Sequence, residues 1–170
     1  MSRLTDYGIV LLTQLAADAA QAEAPGPLEP VHNARELAAR AGLPLPVVSK
    51  ILKTLTREGL LHSHRGVKGG YALVRRPEDI SVASIIDALE GPIALTECGT
   101  EAHGVCARES RCAVRQPWQQ INREVRRTLE RVRLSDLANP SGGFSRPRDE
   151  LSLLLTDPAT ASPPAGAPAE

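Results

Sequence analysis

A central stretch of the sequence places helix breakers and short apolar repeats in an order that few folds accommodate. Asn33 and Glu36 have the spacing of a helix-capping box, and Gly42 stops the short apolar repeat that follows. A second repeat starts beside Pro44 and Pro46, and proline is tolerated in the first turn of a helix. Two short helices joined by a turn around glycine are typical of a helix-turn-helix.

The residues after this pair of helices predict a β-hairpin. Gly59 ends the second helix, and two short strands are predicted over residues 60–64 and 70–74, with a glycine-rich tip between them. A hairpin in this position is a wing, so the predicted fold class is mainly α, a winged helix-turn-helix with a small β-hairpin wing. The apolar residues predicted to line the inner faces of the two helices are Leu37, Ala38, Ala41, Val47, Val48, Ile51, Leu52 and Leu55.

The segments on either side of the predicted winged helix have their own signals. An imperfect amphipathic helix is predicted over residues 4–15, a proline-rich loop over 22–30 and a helix capped by Ser81 over 82–90. Prolines and glycines are frequent near the end of the chain, which is typical of disorder. The predicted parts are a winged helix-turn-helix domain over 1–90, a cysteine loop over 91–113, a long dimerisation helix over 114–138 and a disordered tail over 139–170.

The predicted long helix carries one apolar stripe among polar residues. Its members recur every three or four residues and are Val114, Trp118, Ile121, Val125, Leu129 and Val132. Such a stripe must be covered, either by the rest of the chain, as in an ordinary core helix, or by a second copy of itself. We favour a homodimer, because helix-turn-helix proteins commonly read two half-sites about a two-fold axis.

Positive charge is concentrated in the predicted winged helix, although the formal net charge of the chain is zero. Residues 33–76 contain nine Lys or Arg and two Glu, a charge of +7, so the remainder carries −7. This concentration favours a phosphate backbone as partner, and an aromatic content of 2% argues against base stacking on single strands. The predicted partner is double-stranded operator DNA. The candidate contacts on the second helix and the wing are Ser49, Lys50, Lys53, Thr54, Arg65 and Lys68.

All three cysteines of the chain, Cys98, Cys106 and Cys112, lie in the predicted loop after the winged helix. Thiolates favour soft metal centres. Their gaps of seven and five residues suit an iron-sulfur cluster better than structural zinc, which usually takes two cysteines about two to four residues apart. An iron-sulfur cluster is the predicted cofactor, with zinc or metal-free redox thiols as alternatives. The sequence shows no Cys-x-x-Cys pair and no nucleophile-base arrangement, so an enzyme is not predicted.

Several motifs resemble a known family of regulators. The IscR-like and NsrR-like bacterial winged-helix regulators that carry iron-sulfur clusters have similar motifs. In this chain the motifs are LTDYG near the start, SKILKTLTREGLL at the end of the helix-turn-helix, RGVKGGYAL in the wing and EGPIALTEC at the first cysteine. The resemblance covers residues 2 to about 138 and is strongest to regulators of the SUF system of cluster assembly. It implies a repressor of cluster-assembly genes with a [2Fe-2S] or [4Fe-4S] cluster, and it implies that Arg65 enters the minor groove.

The resemblance also bears on the fourth cluster ligand. IscR-like relatives use a histidine three residues after the last cysteine, where this chain has Arg115, which cannot ligate. NsrR-like relatives use the aspartate of the TDY motif, supplied by the partner subunit, and this chain keeps it as Asp6. The resemblance therefore implies ligation by Cys98, Cys106, Cys112 and Asp6, with His103, Glu97 or an external thiol as alternatives to Asp6.

The N-terminal residues lack the basic start and long apolar run of a signal peptide, and no apolar run approaches the roughly 18 residues of a membrane span. We therefore expect a cytoplasmic protein without a membrane partner. An odd number of cysteines in a reducing compartment also favours ligation or redox chemistry over a disulfide framework.

Overall fold

The computed structural model describes residues 2–21, 31–66, 69–96 and 112–139. Within these ranges the chain forms α1 (Arg3–Gln21), α2 (Ala34–Ala41), α3 (Leu45–Arg57), β1 (Leu61–His64), β2 (Gly70–Leu73), a turn of 3-10 helix (Pro77–Asp79), α4 (Val82–Glu90), α5 (Arg115–Arg131) and α6 (Leu134–Ala138). This mainly helical fold with one hairpin confirms the predicted winged helix-turn-helix. The predicted loop at 22–30 and the predicted tail beyond residue 139 lie outside the described residues. None of the helices in the described ranges has the length and apolar character that crossing a membrane requires.

Local caps set the ends of the helix-turn-helix. The side-chain oxygen of Asn33 accepts a hydrogen bond of 2.9 Å from the Glu36 amide, which satisfies a free amide at the start of α2. Gly42 has a φ of 64°, a left-handed conformation that favours glycine, and there the chain turns toward α3. Pro46 lies in the first turn of α3, where its missing amide hydrogen breaks no helical hydrogen bond. The predicted caps and breaks are therefore confirmed.

The wing is an antiparallel hairpin of β1 and β2, and each strand is one residue shorter than predicted. A third segment joins this hairpin. The backbone of His32 donates a hydrogen bond of 3.1 Å to the Tyr71 carbonyl and accepts one of 2.8 Å from the Tyr71 amide. The wing is therefore attached to the residues that lead into α2, a contact that the sequence did not predict.

Gly70→Ala is expected to lower the free energy of unfolding by about 1–3 kcal/mol, the usual cost of overpacking. A Cβ atom at this position would lie 2.5 Å from the His32 carbonyl oxygen and 2.8 Å from a methyl group of Val31. Because the first of these neighbours is backbone, the wing would have to move away from the segment before α2. Urea unfolding followed by circular dichroism measures the change. Ser63→Ala, at an exposed position of β1, is the control. Equal stability of Gly70→Ala and the unaltered protein would contradict this close approach.

The hydrophobic core lies between α1, α3, α4 and α6, with α2 packed on α3. Its fully buried side chains include Leu11, Leu12, Leu37, Ile51, Leu52, Leu55, Ile85 and Leu134. The predicted inner faces of α2 and α3 are largely confirmed, although Ala41 and Val47 are only half-buried. α1 approaches α4 closely at Gly8, because a Cβ atom there would overlap the side chain of Leu89. The glycine of the LTDYG motif therefore permits this helix contact.

The segment predicted as one helix over 114–138 is divided in the structure. α5 ends at Arg131, and Val132 has an extended conformation whose carbonyl accepts a hydrogen bond of 2.9 Å from the Val82 amide. The chain then enters α6, where Leu134 is fully buried in the core. Backbone pairing with the start of α4 thus ends the long helix, and its apolar periodicity alone did not reveal this break.

Candidate DNA interface and metal centre

The outer face of α3 carries the polar residues predicted to contact DNA. Its inner face is fixed by the core side chains already described, so the helical period turns the remaining positions outward. Lys50 and Lys53 are exposed, and Ser49 and Thr54 are half-buried beside them. These four residues line one shallow, open depression together with Pro46 and Arg57.

Arg57 is a basic residue of this face that the sequence analysis did not select. It follows Lys53 by four residues, the spacing that places two side chains on one side of a helix, and that spacing was the available signal. Its Nε lies 2.9 Å from an oxygen of Glu58, so its charge is partly neutralised within the chain. Lys50 and Lys53 form no ion pair with any other residue in the described ranges. Their charges are available to an external anion.

Arg65 directly follows β1 and is exposed at the wing loop. Within the described ranges it also forms no ion pair. The loop turns at Gly66, which has a φ of 115°, and its carbonyl accepts a hydrogen bond of 2.9 Å from the Gly69 amide. Lys68, the other predicted wing contact, lies outside the described residues. The structure therefore places Arg65 at the end of a short, closed hairpin.

Two other basic side chains of the winged helix are paired within the chain. Arg40 donates hydrogen bonds of 2.6 and 3.1 Å to the two oxygens of Asp18, and this pairing lowers the pKa of Asp18 and raises that of Arg40. His32 Nε2 lies 3.1 Å from Asp18 Oδ2. Arg76 is ion-paired at 3.1 Å with Glu78. The concentration of charge predicted over 33–76 is thus partly neutralised. The outward charge comes from exposed basic residues that have no ion pair in the described ranges, and these are Lys50, Lys53, Arg65, Arg35 and Arg75.

Asp6 is exposed in the first turn of α1. This end of α1 is attached to the end of α4, because the Ser2 amide and the Thr5 hydroxyl both donate hydrogen bonds to one oxygen of Glu90. The hydrogen bond from the Ser2 backbone is the main cause of a lowered pKa of Glu90. The turn that carries Asp6 therefore lies beside the point where the segment leading to the cysteines begins.

Cys112 is half-buried three residues before the start of α5, and its carbonyl accepts a hydrogen bond of 3.3 Å from the Arg115 amide. Cys98, Cys106 and the alternative ligands Glu97 and His103 lie outside the described residues. In the ranges that are described, no three His, Cys, Asp or Glu side chains are grouped so that they could hold a metal ion. The structure thus places the last predicted thiol ligand at the start of the long helix.

The apolar stripe of α5 is open to solvent at its beginning. Val114 is 53% exposed, Trp118 37% and Ile121 45%, whereas Val125 and Leu129 are half-buried. Large apolar side chains exposed in a row are uncommon on a monomer surface, which makes this part of the stripe a candidate interaction surface.

Comparison with known proteins gives a consistent result. The model of the Rrf2 family, described as an iron-dependent transcriptional regulator, matches residues 1–140. The protein rrf2 of Nitratidesulfovibrio vulgaris is 30% identical over 131 residues, which cover 77% of this chain and 81% of that protein. CymR, described as the global cysteine regulator of B. subtilis, aligns with a TM-score of 0.60 and 26% identity and covers 82% of this chain and 96% of its own. IscR of T. potens aligns with a TM-score of 0.58 and 26% identity and covers 83% of this chain and 87% of its own.

The family match spans nearly all of the described residues, and the fold agrees with two solved regulators. The resemblance to IscR-like winged-helix regulators is thereby confirmed, and a regulator is favoured over an enzyme. The chain belongs to the Rrf2 family of transcriptional regulators.

Proposed function

We propose that this protein is a dimeric repressor of iron-sulfur assembly genes, such as those of the SUF system, and that a cysteine-ligated iron-sulfur cluster sets its affinity for operator DNA. The observation that carries the proposal is the position of Cys112, the last thiol, three residues before the helix whose apolar stripe is exposed at its beginning. Ligation and dimerisation then involve the same helix. A change in ligation at the thiols would therefore act on the dimer helix and alter the distance between the two recognition helices.

The DNA contact follows from the winged helix. Lys50 and Lys53 on α3 have no internal ion pair in the described ranges, and a recognition helix reads the major groove mainly with its N-terminal part. Lys50 is therefore assigned to a base edge or a phosphate, and Ser49 and Thr54 beside it to hydrogen bonds with DNA. Arg65 and Lys68 are assigned to the adjacent minor groove and backbone.

The available donors fit an iron-sulfur cluster. The Cys112 thiol is half-buried, and the carboxylate of Asp6 is exposed with no side-chain partner in the described ranges. Cys98, Cys106 and Cys112 would hold the cluster, and Asp6 is the proposed fourth ligand, before His103, Glu97 or an external thiol. A bound cluster would supply a centre whose presence and oxidation state follow the supply of iron and the level of oxidants.

Replacement of one thiol tests the cofactor. We expect protein purified without oxygen to be brown and to contain both iron and sulfide, and Cys106→Ala to lose the visible absorption and most of both elements, because a cluster needs its thiolate ligands. Ser110→Ala, a change of similar size in the same segment, removes no thiol and is expected to stay brown. Colourless unaltered protein that takes up no iron and sulfide on reconstitution would exclude the cluster.

A regulator that senses oxidants through its thiols without a cluster is the second candidate. It is favoured by the structural likeness to CymR, described as a cysteine regulator, and by the partly exposed Cys112 thiol. This candidate predicts colourless protein whose operator binding changes with oxidant and no longer does so in Cys112→Ala. A zinc-containing form would also be colourless and is distinguished by metal analysis.

A further inference from the structure

Asn122 is a buried polar residue of α5, with only 7% of its surface exposed. Its carboxamide makes hydrogen bonds with the backbone of a segment that has no regular secondary structure. Its Oδ1 accepts a hydrogen bond of 3.1 Å from the Leu95 amide, and its Nδ2 donates one of 3.0 Å to the Ile93 carbonyl. The side chain thus pairs with an extended backbone much as a neighbouring strand would. Because a buried amide left without partners costs stability, this pairing holds the segment on α5.

A second contact fixes the same segment to α4. Asp87 Oδ1 accepts a hydrogen bond of 3.1 Å from the Ile93 amide. The same carboxylate is bound by Arg126, with 2.7 Å from Nη2 to Oδ2 and 3.3 Å from Nη1 to Oδ1. Arg126 lies one helical turn after Asn122, and its paired position raises its pKa. Residues 93–95, α4 and α5 are therefore joined through one polar network.

The network lies where the cysteine segment starts. Thr96 is the last described residue before that segment, and Cys98 follows two positions later. At the other end, Cys112 leads directly into α5. Asn122 lies seven residues after the first residue of α5, about 10 Å along the helix axis. Both ends of the cysteine segment are thus attached to the same short stretch of α5. Its first end is attached through the hydrogen bonds of Asn122, and its last end continues along the chain into the helix.

We infer that Asn122, together with the Asp87–Arg126 pair, is a positioning residue that transmits a change at the thiols to α5 and to the winged helix. The inference rests on the proposed function, which it extends by naming the connection. Residues 93–95 lie three to five residues before Cys98, so a change of ligation at that thiol is transmitted to them along the chain. Because those residues are bound to α5 and α4 at once, the displacement reaches the dimer helix and the DNA-binding core together.

The test compares Asn122→Ala with Gln120→Ala, which removes a carboxamide from an exposed position of the same helix. Hydrogen exchange reports the local contact without any cofactor. We expect the amides of Ile93 and Leu95 to exchange about tenfold faster or more in Asn122→Ala and to be unchanged in Gln120→Ala. Equal protection in both variants would overturn the inference.

The second measurement is the ratio of operator affinities with and without cluster, from fluorescence anisotropy. We expect this ratio to move toward one by about fivefold or more in Asn122→Ala, while affinity of the cluster-free form stays within about twofold. Loss of colour in Asn122→Ala but not in Gln120→Ala would support the same connection. An unchanged ratio in brown Asn122→Ala would overturn this inference and leave the proposed function intact. Unaltered protein without cluster, or with a ratio of one, would overturn both.

Asn122→Asp covers the case in which the alanine variant does not fold. Aspartate keeps an acceptor for the Leu95 amide and loses the donor to the Ile93 carbonyl. We expect faster exchange at residues 93–95 and an affinity ratio closer to one in this variant as well. If the exchange rates at residues 93–95 and the affinity ratio both equalled those of the unaltered protein, Asn122 would not be a positioning residue.

Discussion

Ile121→Asp is expected to convert the proposed dimer to a monomer and to weaken operator binding by roughly two orders of magnitude or more, the usual range when two linked binding events become one. Ile121 lies in the exposed part of the α5 stripe between Trp118 and the half-buried Val125. A carboxylate in an apolar interface loses its hydration without gaining a partner, so the paired form becomes unfavourable. Sedimentation equilibrium gives the oligomeric state, and titration of a two-half-site operator gives the affinity.

Gln120→Asp is the matched control for this change. It introduces the same charge at the neighbouring position, which is exposed and lies off the apolar stripe. We expect Gln120→Asp to remain dimeric with nearly unchanged operator affinity. If Ile121→Asp also remained a dimer at micromolar concentration, the stripe would not be the interface, and the core-helix alternative would gain support.

Joint replacement of Lys50 and Arg65 by alanine is expected to weaken operator binding and to reduce its dependence on salt. Each subunit loses one cation from α3 and one from the wing, four in the dimer. At about 0.9 released counterions per phosphate contact, the slope of log affinity against log salt should become shallower by about three to four. If Lys50 instead contacts a base edge, part of this change is replaced by a loss of preference for the operator sequence over other DNA.

Arg76→Ala combined with Arg127→Ala is the control for that variant. It removes the same number of charges, but each of these guanidinium groups is ion-paired with a nearby acid, Arg76 with Glu78 at 3.1 Å and Arg127 with Glu124 at 2.7 Å. We expect its salt dependence to match that of the unaltered protein. A salt slope in Lys50→Ala/Arg65→Ala equal to that of the control would remove α3 and the wing from the proposed interface.

Features with a local cause were predictable from the sequence. The caps at Asn33 and Ser81 form because a side-chain oxygen reaches an amide three residues later, and the left-handed turn at Gly42 needs only glycine. The outer face of α3 follows from its apolar period in the same way. The same pattern that predicted the fold therefore also predicted the candidate DNA contacts on α3, except Arg57.

Features that depend on distant parts of the chain were not predictable from the sequence. The pairing of His32 with Tyr71 needs two segments almost forty residues apart to meet. The end of α5 depends on pairing of Val132 with Val82, and the role of Asn122 depends on a segment 27 to 29 residues before it. An asparagine within a polar helix face carries no signal of burial. Two of the four proposed cluster ligands, Asp6 and Cys112, lie in the described ranges, and the other two, Cys98 and Cys106, lie outside them. The complete ligand set is therefore a prediction from the sequence.

The return of the chain through Leu134 means that the DNA-binding unit is discontinuous in sequence. Residues 2–90 supply most of it, but the side chain that completes the contact with α1 and with the 3-10 turn comes from beyond the long helix. The Leu134 amide also donates a hydrogen bond of 2.8 Å to the Ile80 carbonyl. A fragment that stops after α4 would expose that part of the core to water. α5 therefore lies, in sequence, between two parts of one folded body, and it differs from an arm joined at a single point.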